Sequence, residues 1–165
     1  MDKEVSQWLR KIEEAKKGSV DLSRDEDLSI ALMNLVSLEE HFYFTAMKTG
    51  NRKYLDMLMQ VRDIRKNYLA KIVTNPKGEE WCISKHLLAA SMRLIEVGTK
   101  EQAKGNKKES EAYFKSAFDL YSLFFAINMK MISVEKIKES DVKKFSPLNK
   151  FSELVKKMVD CCKEW

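Results

Sequence analysis

The fold turns on one stretch, Ala117-Phe118-Asp119-Leu120-Tyr121-Ser122-Leu123-Phe124-Phe125-Ala126-Ile127-Asn128-Met129-Lys130-Met131. It is apolar nearly all round, and Lys115, Asp119 and Ser122 leave only a narrow polar strip. A helix of that kind is normally central in a bundle, or is covered by a second subunit. It does not read as a membrane span, because the run from Leu120 to Ile132 is short and holds Ser122, Asn128 and Lys130.

Around this segment the chain reads as helix after helix. Residues 5–17 carry Val5, Trp8, Leu9, Ile12 and Ala15 at spacings of three and four, and Gly18 follows a basic last turn. A second helix is predicted over 23–48, opened by the capping box Ser23-Arg24-Asp25-Glu26. Its main apolar face is read as Leu28, Ala31, Leu32, Leu35, Leu38 and Phe42, widened by Met33, Val36, Phe44 and Met47. Gly50-Asn51 turns the chain into a third helix over 52–73, with the stripe Tyr54, Met57, Leu58, Val61, Ile64, Tyr68 and Ile72. The short link makes these two an antiparallel hairpin.

Asn75-Pro76 breaks the helical pattern within Thr74–Gly78, which is read as an internal loop because neither half has a convincing core alone. The fourth helix, over 79–104, has two rows. One is Ile83, Leu87, Ala90, Leu94 and Val97; the other is Ser84, Leu88, Ser91, Ile95 and Gly98, small enough to let a neighbouring helix approach closely. Gly105-Asn106 turns into the fifth helix, over 107–130. Residues 133–145 are read as a short amphipathic piece. Ser146-Pro147 starts a last helix with the stripe Leu148, Phe151, Leu154, Val155, Met158 and Cys162. The expectation is an all-α, single-domain bundle over 1–165, with five to six main helices, mostly antiparallel neighbours.

Composition bounds the function classes. A chain of 165 residues is the size of one domain and buries enough surface to fold without staples. With only 5 Gly and 2 Pro, a sandwich or barrel built on tight turns is not expected. The cysteines Cys82, Cys161 and Cys162 are odd in number and two are adjacent, which fits a reducing, cytoplasmic setting. The start Met1-Asp2-Lys3-Glu4 has no apolar core of the kind a secretion signal needs. The net charge of +5 lies wholly from Trp81 onward, where Arg93 is the only arginine among interleaved lysines and acids. Lysine lacks the planar fork that grips phosphate, so no specific nucleic-acid surface is expected.

Residues 105–118 resemble the turn and second helix of a tetratricopeptide repeat. The resemblance rests on Gly105, the paired aromatics Tyr113 and Phe114, and Ala117. Nothing else in the chain repeats it at the required period of about 34 residues, so it implies a helix hairpin and no repeat array.

Candidate chemistry concentrates on the second and fourth predicted helices. Cys82, His86, Arg93 and Glu96 share one row, and one helical turn between Cys82 and His86 lets both reach a metal. Glu40 sits between Val36, Phe44 and Met47 and is read as pointing inward, to pair with Arg93 or His86. His41 falls on a row with Asn34, Ser37 and Thr45 that looks solvent-facing. The candidate binding cluster is therefore Glu40, His41, Trp81, Lys85, His86, Arg93 and Glu96, with Glu40, Cys82 and His86 as the metal candidates. No cofactor is expected, a bound metal ion being the alternative. The Glu-x-x-His pairs of di-iron bundles are absent, since Leu38 and Ile83 stand three before the two histidines. No Gly-rich phosphate loop occurs, and no sharp turn presents a nucleophile. No reaction is legible. The expectation is a non-enzymatic module that binds protein, itself or another chain, with no membrane partner. A homodimer through a terminal helix or the aromatic-rich fifth helix is the specific form. The alternative is a small-ligand or metal site between the second and fourth helices, with an enzyme on that site less expected still.

Overall fold

The computed structural model describes residues 23–132 and Val134. Four helices follow one another: α1 (Ser23–Thr49), α2 (Lys53–Ile72), α3 (Glu80–Ala103) and α4 (Lys107–Asn128), with no strand among the described residues. All four agree with the sequence boundaries to within two residues. The helices predicted over 5–17, 133–145 and from Ser146 onward lie outside the described residues, so the described part holds four of the five to six expected.

The turns explain why the helices end where they do. Gly50 takes φ 66, a left-handed conformation that costs glycine nothing, and its N–H closes on the Ala46 carbonyl at 2.8 Å. Asn51 Oδ1 then accepts from the Lys53 backbone N–H at 3.1 Å and starts α2. α4 ends in a Schellman arrangement, with Lys130 N–H donating to the Ile127 carbonyl and Met131 N–H to the Ala126 carbonyl. Lys130 occupies the left-handed position at φ 56, where glycine is the usual residue. It is held there by its own side chain, which reaches Glu80 at 2.8 Å.

α1 pairs with α2 and α3 with α4, and α1 bridges the two hairpins by packing on α3. One core joins all four helices: Leu32 and Met33 from α1, Leu69 and Ile72 from α2, Leu87 and Leu88 from α3, and Phe124, Phe125 and Ile127 from α4. α4 packs chiefly on α3, and its Phe124, Phe125, Ala126 and Ile127 are covered within the chain; α1 and α3, which each pack on two helices, hold the middle of the arrangement, in place of the apolar segment expected there.

The small-residue row of α3 does what its spacing predicts. Ser84, Leu88, Ser91 and Gly98 are buried, while Ile95 at the same spacing is exposed. At Gly98 the ring of Phe114 comes so close that a Cβ there would lie 2.8 Å from Cε1. Ser110 Oγ donates to the Gly98 carbonyl at 2.9 Å, and Asn128 Nδ2 donates to Ser84 Oγ at 3.0 Å. These contacts tie α3 to α4 near both ends of the pair.

Two predicted faces are rotated from the buried ones. On α1, Ala31, Leu38, Phe44 and Met47 of the expected face are exposed. On α2 the buried residues are Leu58, Arg65, Leu69 and Ile72, whereas Met57, Ile64 and Tyr68 of the predicted stripe stand in solvent. The reason is that a charged residue, Arg65, takes a core position. A hydrophobicity count assigns that position to the wet side.

Candidate functional site

Glu39, Glu40 and His41 follow one another on α1. Each helical residue turns the side chain by about 100°, so the three address different surroundings. Glu39 points at α2. Arg65 Nε donates to its Oε1 at 2.6 Å and Arg62 Nε to its Oε2 at 2.9 Å. Only 8% of Glu39 and 5% of Arg65 is exposed, so this is a buried ion pair with Arg62 closing its outer side. Burial pushes the Glu39 carboxyl up, but the hydrogen bonds and charges of Arg65 and Arg62 outweigh it and hold the group below its ordinary value.

Glu40 points at α3. Arg93 Nε donates to its Oε2 at 2.7 Å, and a second guanidinium nitrogen reaches the same oxygen. Of the two partners open to Glu40 from sequence, Arg93 and His86, the bond is made by Arg93, and it crosses between the two helices. Its setting is not the one inferred. The side chains are 47% and 51% exposed, so Glu40 does not point inward and the pair stands at the surface. Such a pair sits in high dielectric and contributes roughly 0–1 kcal/mol. His41 is exposed, as its row suggested.

The rest of the expected cluster is spread along α3. Cys82, His86 and Glu96 are exposed, and Trp81 and Lys85 are half-buried, with Trp81 packed against the core. Among the described residues no group of three or more His, Cys, Asp or Glu side chains is placed to hold a metal ion. Within the metal set, Glu40 already spends its carboxylate on Arg93.

A second polar cluster lies where α3 begins and α4 ends. Glu80 is buried, and its Oε2 accepts from Lys130 Nζ at 2.8 Å and from the Lys77 backbone N–H at 3.0 Å. The bond from Lys130, then that from Lys77, holds its carboxyl below the ordinary range. Asn128 spans from Ser84 to the Phe124 carbonyl, and its Oδ1 is a buried acceptor without a hydrogen-bond partner among the described residues. A third buried link joins α1 to α4, Ser29 Oγ to Tyr121 Oη at 2.7 Å. Burial first of all pushes the Tyr121 phenol up, to about 12.

Sequence reasoning missed Glu39, Arg62 and Arg65, although a signal was present. Glu39 stands four residues after Leu35 and seven after Leu32, inside an apolar row. Arg65 stands seven after Leu58 and four before Leu69, inside another. An acid in one row and a base in the row of the next helix, across a three-residue turn, is the pattern of a buried pair.

No protein-family model, no curated protein and no solved structure matches this chain. What the molecule does has to be argued from its own surfaces.

Proposed function

We propose that the chain is a non-enzymatic helical interaction module that associates with a second copy of itself through the far half of α1. The observation that carries this is the group Tyr43, Phe44 and Met47, which are 48%, 55% and 57% exposed one turn beyond the Glu40–Arg93 pair. Aromatics and methionine with a charged rim are the composition of an interface core. The rim charges Glu40 and Arg93 are already satisfied by each other, so an identical surface meets no net repulsion on approach. This moves the contact away from residues 107–130, whose Phe124, Phe125 and Ile127 are covered within the chain. Sedimentation equilibrium at micromolar concentration tests it. The expected result is a dimer that dissociates in Phe44→Lys/Met47→Lys, and a monomer at all accessible concentrations overturns it.

The second reading is a small-ligand or metal site between α1 and α3, using Glu40, His41, Trp81, Lys85, His86, Arg93 and Glu96. The Glu40–Arg93 bridge favours it, since the reading needs those two helices side by side. Native mass spectrometry without chelators separates the two. A reproducible extra mass that disappears in His86→Ala and Arg93→Ala supports the ligand site, and a bare chain counts against it.

A further inference from the structure

Glu40, Phe44 and Lys48 stand four residues apart on α1 and form one exposed row, which steps round the helix by only about 40° per position. Tyr43 and Met47 are exposed beside Phe44, and the Tyr43 and Phe44 rings meet edge to face at 5.3 Å. The row has an acid at one end, an aromatic ring in the middle and a base at the other. Its two ends are about 12 Å apart along the helix, at equal distances from Phe44. Lys48 makes no ion pair among the described residues. At the acid end, Arg93 gives both its bonds to Glu40 Oε2, so Oε1 is open to a second cation. Glu39 shows that division at work in the same molecule, with Arg62 on one oxygen and Arg65 Nε on the other.

We propose that two copies of the chain meet here with their α1 helices antiparallel about a two-fold axis beside Phe44, Glu40 of each chain taking the partner's Lys48 on its second oxygen. This rests on self-association through α1 and fixes its geometry. Across a two-fold axis, residue i meets residue j of the partner and j meets i. Antiparallel helices centred on Phe44 therefore bring position 40 of one chain to position 48 of the other, twice over. Each end of the row gains an opposite charge. A parallel arrangement centred on the same residue sets Glu40 against Glu40 and Lys48 against Lys48, and like charges held together oppose association. The antiparallel contact also puts the side chains where an interface wants them. Phe44, Tyr43 and Met47 close on their own copies at the centre, and the charges lie at the rim. Arg93 keeps its place on Oε2, so the bridge between α1 and α3 survives in the dimer.

Sedimentation equilibrium of the full chain tests the geometry, run on the wild type, on Lys48→Glu, on Glu40→Lys and on an equimolar mixture of the two variants. The expected result is that each variant alone self-associates about tenfold or more weakly than the wild type, because two like-charge contacts replace two opposite ones. The mixture should recover a dimer, since each end of the mixed row again joins opposite charges. Recovery in the mixture is what a local disturbance of Arg93, or a loss of helicity, cannot give. A wild-type dimer that both variants leave unchanged, or a mixture no tighter than its parts, overturns the antiparallel contact and leaves self-association standing. A wild-type chain that stays monomeric overturns self-association itself, and this contact with it.

Discussion

In the α1–α2 hairpin the helices are fastened by charge: Glu39 is held between Arg65 and Arg62, and large apolar side chains such as Phe44, Met57 and Ile64 remain outside. In the α3–α4 hairpin they are fastened by closeness. Gly98 accepts the Phe114 ring, buried serines donate to carbonyls, and Phe124 and Ile127 are fully enclosed. Small residues permit near backbone contact, and dispersion over many atoms then does the holding. In the α1–α2 hairpin the seam is taken by a buried ion pair, and apolar side chains on the flanks stay exposed to other surfaces. The closely packed hairpin is therefore the scaffold, and the charge-fastened one presents what another segment or molecule can touch.

The largest effect that would break this contrast is expected at Glu39. Glu39→Ala leaves the Arg65 guanidinium buried without a counter-charge, and urea denaturation should show a loss of about 3–5 kcal/mol. Its neighbour sharpens the point. Glu40→Ala removes a half-exposed pair and should cost less than about 1 kcal/mol in the same assay. Equal losses at the two positions would mean that the surface pair fastens the hairpins after all.

Stability against pH is the next test. The Glu39 and Glu80 carboxyls are both held below the ordinary value of 4.5, so their contribution is present above pH 4.5 and is lost as pH falls through the folded-state values. Glu39→Gln should flatten that acid limb, followed by circular dichroism. At the alkaline end the sign reverses. The unfolded Tyr121 phenol ionises near 10.0 while the folded one holds its proton to about 12, so stability falls as pH rises through that window. Tyr121→Phe should abolish the fall, along with the bond to Ser29, worth about 1 kcal/mol.

A smaller effect is expected at the close approach. Gly98→Ala gains helix propensity but drives a Cβ into the Phe114 ring, for a net loss of about 1 kcal/mol by thermal melting. Adding Phe114→Leu should recover part of it. The smallest effect is at Lys130, where Lys130→Gly relieves a left-handed backbone but gives up the bond to Glu80. Lys130→Ala keeps the strain, loses the bond, and should be the less stable of the two by about 1 kcal/mol.

How far the molecule was legible differs along the same lines. The close pairing of the scaffold helices could be read, because Ser84, Ser91 and Gly98 announce a close neighbour; the central position that residues 117–131 suggested belongs instead to α1 and α3. The α1–α2 hairpin was legible as a pair of helices but not in its rotation. Arg65 enters the core only because Glu39 meets it there, and neither residue declares this alone. For Glu40 the sequence left Arg93 and His86 open as partners, and the inward direction read from Val36, Phe44 and Met47 does not hold, since neighbouring apolar residues do not say whether a third helix covers them.

By itself the sequence determined that the described chain is helical, where each helix starts and stops, and which helices follow as hairpins. Those properties come from local chemistry: periodicity, glycine at the turns, and connections too short to allow anything else. Which face of each helix is buried, which of two consecutive glutamates is structural, and which apolar stripe is left outside were decided only by tertiary structure. They depend on charges and surfaces brought together from distant parts of the chain, and a charge that finds its partner can take a place that hydrophobicity alone would deny it.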